Sequence, residues 1–364
     1  MSLLFSYRNK ENWKSYYDIL IEPEKLFAIN EEECNENCKE FIKIQFAAGQ
    51  KEDVFNLQFA EKYKNEGKHA HTISLYLLGL YLAGLFKERI CCDVNRKIPP
   101  IDKSIEWYND TDYKYTWFMT SLYHDIASCI EKSDYKNIHE LSCENLFSNP
   151  KFNRYNKNTV KNYWKYRKHD NKQDHGIYGG VLLHEKLNDI YGEMTSDKRL
   201  PVNENGLVWR EEHLDHYKYV ADAIVTHNMW TVSSEDKEAV QKYEHAELME
   251  LIIDDEKKKL SITDYPLHFM LCLLDTIEPV KRFNNLSPYE VLNSISIDIV
   301  KDENGKIEIR WNKTIRQQPQ FWDWMKNIST MPEWMNVQVS SCDCSSYECS
   351  LTISIPLDSN NMEL

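Results

Sequence analysis

The sequence predicts a mainly α-helical protein that ends in a small α+β unit. Three observations carry this. Glycine and proline are scarce, 10 and 11 in 364 residues, which leaves little turn chemistry for an all-β architecture. From about residue 67 to 292, apolar residues recur at helical spacing, as in Leu75, Leu78, Leu82 and Leu85. After about 293 the apolar period shortens to two.

In chain order, residues 1–66 are polar and acidic in the middle ("NEEECNENCKE") and read as an N-terminal helical extension packed on the core. Residues 67–292 form that expected core, with helical segments at 69–91, 104–132, 138–147, 174–192, 212–231, 236–254 and 264–283. "LPVNENG" at 200–206 reads as a loop. In the unit 293–364, "SISIDIV" and "KIEIRW" alternate on either side of "KDENG", a hairpin signal. "PQFWDWMKNIS" reads as a short helix, and "NVQVSS" and "SLTISIP" alternate again. The expected order is strand, strand, helix, strand, strand.

Composition narrows the function. Hydrophobic residues at 42% and aromatics at 12% exclude a disordered chain. A net charge of −14 argues against general duplex nucleic-acid binding, which needs a basic footprint. It leaves open a small anionic substrate held by metal ions and a local basic patch. The longest apolar run, "ISLYLLGLYLAGLF" at 73–86, is 14 residues, the length of a core helix rather than a membrane span. "MSLLFSYRNKENW" lacks a secretory apolar region. The expectation is a cytoplasmic protein with no membrane partner and its ten cysteines as thiols. Cys342, Cys344 and Cys349 have the spacing C-x-C-x4-C, which reads as a Cys-rich hairpin loop because a structural zinc site needs a fourth ligand. A homo-oligomer is compatible with the sequence.

The stretch "SLYHDIA" at 121–127 places His124 beside Asp125 in an apolar helical run. Neighbouring side chains on a helix diverge by about 100°, so these two are no routine ion pair. Other histidines sit at or near the ends of apolar helices: His71 opens "HTISLYLLGLYL", His175 opens "HGIYGGVLL" and His227 closes "YVADAIVTH". Asp275 lies in "FMLCLLDTIEP" among apolar neighbours. A carboxylate there needs a positive partner: Lys281, Arg282 or a metal ion. His69, His139, His184, His213, His216, His245 and His268 read as surface or supporting residues.

The order His71, His124–Asp125, then a distant Asp275 resembles the HD-domain superfamily of metal-dependent phosphohydrolases, over roughly residues 67–285. That family's minimal signature is one His, an adjacent His–Asp pair and a later Asp on a helical bundle. The resemblance implies an HD-domain helical bundle. His71, His124, Asp125 and Asp275 would hold the metal. His175 and His227 match additional histidines of members with a second ion or a catalytic His. Mixed imidazole and carboxylate ligation suits one or two divalent ions: Mn, Fe, Co or Ni, with Mg or Zn also compatible. The implied reaction is attack of metal-bound water on a phosphate ester or anhydride, with a nucleotide as the favoured substrate. Asp125, His175 and His227 would carry the chemistry, Asp125 bridging if two ions bind. The pair continues as Ile126, Ala127 and Ser128, without the Gly and Lys common in cyclic-dinucleotide members.

Residues 151–172 hold eight Lys or Arg against one acid, Asp170, and end three residues before His175. A solvated helix face is the ordinary meaning of such a run. Interleaved Tyr and Trp also suit a base, and the cations suit phosphate. Arg167 and Lys168, with Lys281 and Arg282, are the candidate substrate contacts. The competing functions are a single-strand nuclease or cyclic-nucleotide phosphodiesterase of the same type, and a non-catalytic nucleotide-sensing or interaction module.

Overall fold

A computed structural model describes residues 68–82, 85–86, 116–117, 119–128, 146–147, 153–169, 174–196, 212–283, 285–300, 305–341 and 349–356. Helix accounts for 58% of them, with a two-stranded pair and a four-stranded sheet near the C-terminal end, so the class is mainly α. The expected extension 1–66 lies outside the described residues, as do Cys342 and Cys344.

The helices are α1 (Lys68–Tyr81), α2 (Lys157–His169), α3 (His175–Ser196), α4 (Glu212–Thr226), α5 (Lys237–His245) and α6 (Pro266–Ile277). A further helical stretch covers 116–117 and 119–123. The central element is α6. Pro266 opens it where a missing N–H costs nothing, and ten of its twelve residues are buried. A helix apolar on all sides belongs inside. It packs against α1, α4 and the helix Gln320–Ser329.

Two close approaches depend on glycine. At Gly180, an added Cβ would stand 2.7 Å from the Ala221 carbonyl oxygen, so α3 and α4 cross almost backbone to backbone. At Gly79, the Trp117 indole occupies the space a Cβ would need, and its Nε1 donates to the Tyr76 carbonyl at 2.9 Å.

Expected helices 212–231 and 264–283 end early, at Thr226 and Ile277, and segment 236–254 departs furthest from its apolar pattern: it is α-helical only to His245, where α5 ends, with a 3₁₀ turn at Met249–Leu251. Strand β2 (Ile252–Ile253) then pairs in parallel with β1 (Val232–Ser233). The buried Leu251, Ile252 and Ile253 suit a short buried strand as well as a helix face, and periodicity alone cannot separate the two.

The C-terminal residues follow the expected strand–strand–helix–strand–strand order. A capping box, Ser287 with Glu290, starts helix α7 (Pro288–Ser294). Strands β3 (Ile295–Val300), β4 (Lys306–Trp311), β5 (Gln338–Ser341) and β6 (Cys349–Ser354) form an antiparallel sheet in the order β3-β4-β6-β5. Three short helices, α8 (Lys313–Arg316), α9 (Gln320–Ser329) and α10 (Met331–Trp334), stand where one was expected. The inward residues of the sheet, such as Ile307, Ile309 and Ile353, belong to the same apolar cluster as Leu75, Met270 and Leu274. Trp324 joins the two parts: its Nε1 donates to the Thr276 carbonyl at 3.2 Å and its ring meets Phe283 edge-on. Among the described residues no helix is long and apolar enough to cross a membrane.

Candidate metal centre

Five elements deliver the site. His71 comes from the first turn of α1 and Asp275 from the last turn of α6. His175 is the first residue of α3, and His227 directly succeeds α4. His124 and Asp125 come from the point where the helical stretch breaks into a turn. There, i→i+3 bonds from Ile126 to Tyr123 and from Ser128 to Asp125 replace the α-helical pattern. The irregular backbone lets adjacent side chains converge.

The ligand atoms are close. His71 Nε2 lies 3.0 Å from Asp275 Oδ1, 3.3 Å from His124 Nε2 and 3.8 Å from Asp125 Oδ2. His124 Nε2 lies 3.4 Å from Asp275 Oδ1 and 3.7 Å from Asp125 Oδ2. His175 Nε2 lies 3.1 Å from the other Asp125 oxygen, Oδ1. Among the described residues, two groups have geometry that could hold a cation: His71, His124 and Asp275, and His124, Asp125 and His227. His124 is common to both. The rings of His124 and His227, and of His227 and His175, succeed one another with centroids 5.3 Å apart.

Three of the four rings are oriented from behind. His71 Nδ1 donates to Glu278 Oε2 at 2.7 Å, His124 Nδ1 to the Ser121 carbonyl at 2.8 Å, and His227 Nδ1 to the Ile224 carbonyl at 2.6 Å. These acceptors have no proton to give, so Nδ1 carries it in every case. In the neutral ring Nε2 is then a bare lone pair aimed at the cluster. Burial lowers the pKa of His124 and favours that neutral form. For His227, burial first and then the neighbouring His175 and His124 lower it to about 3. Lone pairs on His71 and His124 that face each other at 3.3 Å, beside two carboxylates, repel unless a cation joins them. The donor set therefore fits a divalent ion of the mixed N/O class.

The carboxylates are held ionised. Burial pushes the Asp275 carboxyl up, but the adjacent Lys281 ammonium holds it well below the usual range. Glu278 is fully buried, and its carboxyl is lowered despite burial by His71, Ser74 and the Val280 N–H. Its Oε1 accepts from Ser74 Oγ at 2.5 Å and from Val280 N at 2.9 Å.

All six expected ligands meet at this one place. The expected substrate contacts divide. Lys281 Nζ binds Asp275 Oδ1, and Arg282 Nη2 donates to the Asp275 carbonyl at 3.0 Å, so both serve the ligand itself. Arg167 lies 3.8 Å from the buried Asp174, whose Oδ1 caps the start of α3 by accepting from Ile177 N at 3.0 Å. Arg167 thereby supports the segment that presents His175. Lys168 is exposed, about 100° around α2 from Arg167.

Sequence reasoning passed over Glu278, whose signal was a second acid three residues after Asp275. It also placed His184, His216 and His268 at the surface or in support, and all three are buried. A scan of protein-family models, a search of curated proteins and a search of solved structures each find no match to this chain.

Proposed function

We propose that this chain is a metal-dependent phosphohydrolase of the HD superfamily that cleaves a phosphate ester or anhydride, with a nucleotide as its substrate. One observation carries the reading. Lone pairs of His71 and His124 and oxygens of Asp125 and Asp275 converge within 3.0–3.8 Å, each His held by a bond at its far nitrogen. Backing of this kind is the usual support of metal-ligating histidines. When bound, a divalent cation supplies a nucleophilic water near neutral pH and neutralises phosphate charge.

The chain's own residues then have distinct tasks. His71, His124 and Asp275 form the first ligand group. Asp125 turns Oδ2 to that group and Oδ1 to His175, the arrangement a bridging carboxylate needs. His227 presents Nε2 beside His124. His175 is part-exposed at the rim, where a proton donor for the leaving oxygen belongs. Lys281 holds Asp275 ionised and adds positive charge next to the phosphate.

The test is metal content together with hydrolysis. The purified chain is expected to bind Mn2+ and to hydrolyse bis(p-nitrophenyl) phosphate or a nucleotide. Asp125→Ala should lose the metal and at least about a hundredfold in rate. An Asp125→Ala protein with full metal occupancy and full activity overturns the proposal.

A further inference from the structure

His175 and His227 come from different elements, yet the residues beside them in sequence are bonded to each other. Asp174 precedes His175, and Asn228 succeeds His227. Asn228 Nδ2 donates to Asp174 Oδ2 at 2.9 Å. Asp174 is fully buried, and its other oxygen, Oδ1, accepts from Ile177 N at 3.0 Å. One carboxylate therefore both caps α3 and grips the turn after α4. Arg167 Nε lies 3.8 Å from Asp174 Oδ2 and offsets its charge.

The orientation of the Asn228 amide follows from its partners. Its Oδ1 accepts from Trp230 Nε1 at 2.9 Å, and an indole N–H can only donate. Nδ2 must then face Asp174, whose carboxylate only accepts. The turn itself is tied down from α2. Tyr163 Oη donates to the Asn228 carbonyl at 3.2 Å and accepts from Trp230 N at 3.1 Å. Tyr163 and Arg167 stand at i and i+4, on one face of α2, whereas Lys161, Lys165 and Lys168 are exposed. Part of the basic helix thus serves the two histidines from behind.

The effect falls on one ligand group and not the other. His175 is the first residue of α3, so it stands where that helix begins. Gly176 lets the start of α3 close on His227: an added Cβ would stand 3.0 Å from His227 Cε1 and 3.1 Å from its Nδ1. The two rings come to rest with centroids 5.3 Å apart, and His175 Nε2 lies 3.1 Å from Asp125 Oδ1. His227 belongs with His124 and Asp125 to the second ligand group. The first group, His71, His124 and Asp275, takes no residue from α3 or from the turn after α4.

We propose that Asp174 and Asn228 are positioning residues for a second cation: their bond sets His175 against His227 and so completes the second ligand group, with no part in the first. The proposal rests on the metal centre of the phosphohydrolase reading and not on its substrate.

The experiment is a Mn2+ titration of the metal-free, full-length chain, with bound ions counted by electron paramagnetic resonance. Wild type is expected to take up two ions. Asp174→Asn sets an amide against the Asn228 amide, and Asn228→Asp sets two carboxylates together. Each is expected to weaken one ion by about 10- to 100-fold, the usual effect of losing a ligand's supporting group, and to leave the other within about twofold. The double exchange, Asp174→Asn with Asn228→Asp, again matches a donor to an acceptor at every contact. The amide at 174 then donates to the carboxylate at 228, its oxygen still caps α3, and Trp230 Nε1 still finds an acceptor. It should return the second ion to within about threefold of wild type. Tyr163→Phe loosens the turn without touching the pair and should weaken the same ion alone, which covers a single variant that does not fold. A merely structural pair would lower the urea midpoint and weaken both ions together or neither. Either of those results, or a wild type that holds one ion, overturns the assignment. A chain whose second ion depends on the pair but which hydrolyses no phosphate ester keeps the positioning role and loses the hydrolase reading.

Discussion

At the scale of single residues, His71 Nδ1 donates to Glu278 Oε2 across 2.7 Å, and the Lys281 N–H reaches the same oxygen at 3.3 Å. All four acceptor contacts of Glu278 come from donors, so an amide cannot replace the carboxylate without turning an N–H against one of them. Glu278→Gln is therefore expected to weaken Mn2+ binding by about 10- to 100-fold, the usual effect of losing a ligand's backing group. Calorimetric titration of the metal-free protein reads this directly, and an unchanged affinity would remove Glu278 from the site. His71, His124, His175, His227 and Asp275 were legible in the sequence because a polar residue at the end of an apolar helix needs a partner. The roles of Lys281 and Arg282 were half legible. Both were named as partners of Asp275, yet their contact depends on the turn at 278–281, which folds the chain back after α6 ends.

At the scale of elements, α3 and α4 decide how far His175 stands from His227. Their crossing is close because Gly176 and Gly180 carry no side chain. At Gly176 an added Cβ would stand 2.9 Å from the Ile224 carbonyl oxygen, the atom that orients His227. Gly180→Ala gains about 1 kcal/mol in helix propensity but meets backbone atoms that cannot yield, an overpacking cost of about 1–3 kcal/mol. We expect a net loss of up to about 2 kcal/mol, measured by urea denaturation. Gly179→Ala meets the end of the Ile126 side chain at 3.2 Å and should cost less; the reverse order would refute the crossing described. Periodicity located α1, α3, α4 and α6 in the sequence. It overran α5 because "LMELII" is apolar in either a helix or a strand, and the parallel pairing of Ile252 with Val232 settles the matter only in three dimensions. The expected pairing of Lys168 with Arg167 disregards it: the two stand about 100° apart on a helix.

At the scale of the whole molecule, one apolar cluster runs from α1 through α6 into the C-terminal sheet, and several histidines are buried within or beside it. Burial, then the nearby Lys218, lowers His184 to about 4, and His227 is lowered to about 3. Both are neutral in the folded chain at pH values where the unfolded chain, with ordinary values near 6.5, is protonated. The unfolded state thus binds more protons, so stability rises with pH across this window. The metal-free protein is expected to lose stability progressively as the pH falls from about 6.5 toward 4. Urea midpoints at pH 7 and pH 5 check this, and a midpoint that rises on acidification contradicts it.

The sequence by itself determined the helical class and the change of period near 293, and it singled out the six residues of the candidate cluster, because spacing and the cost of burying charge are local properties. It could not determine which lone pairs meet. That depends on the turn at His124–Asp125, the glycine crossing of α3 with α4, and the fold-back of Lys281 onto Asp275. Nor could it divide the basic run. Only tertiary packing left Lys161, Lys165 and Lys168 outward and set Tyr163 and Arg167 against Asn228 and Asp174, because a helical period assigns residues to a face but not the face to a neighbour.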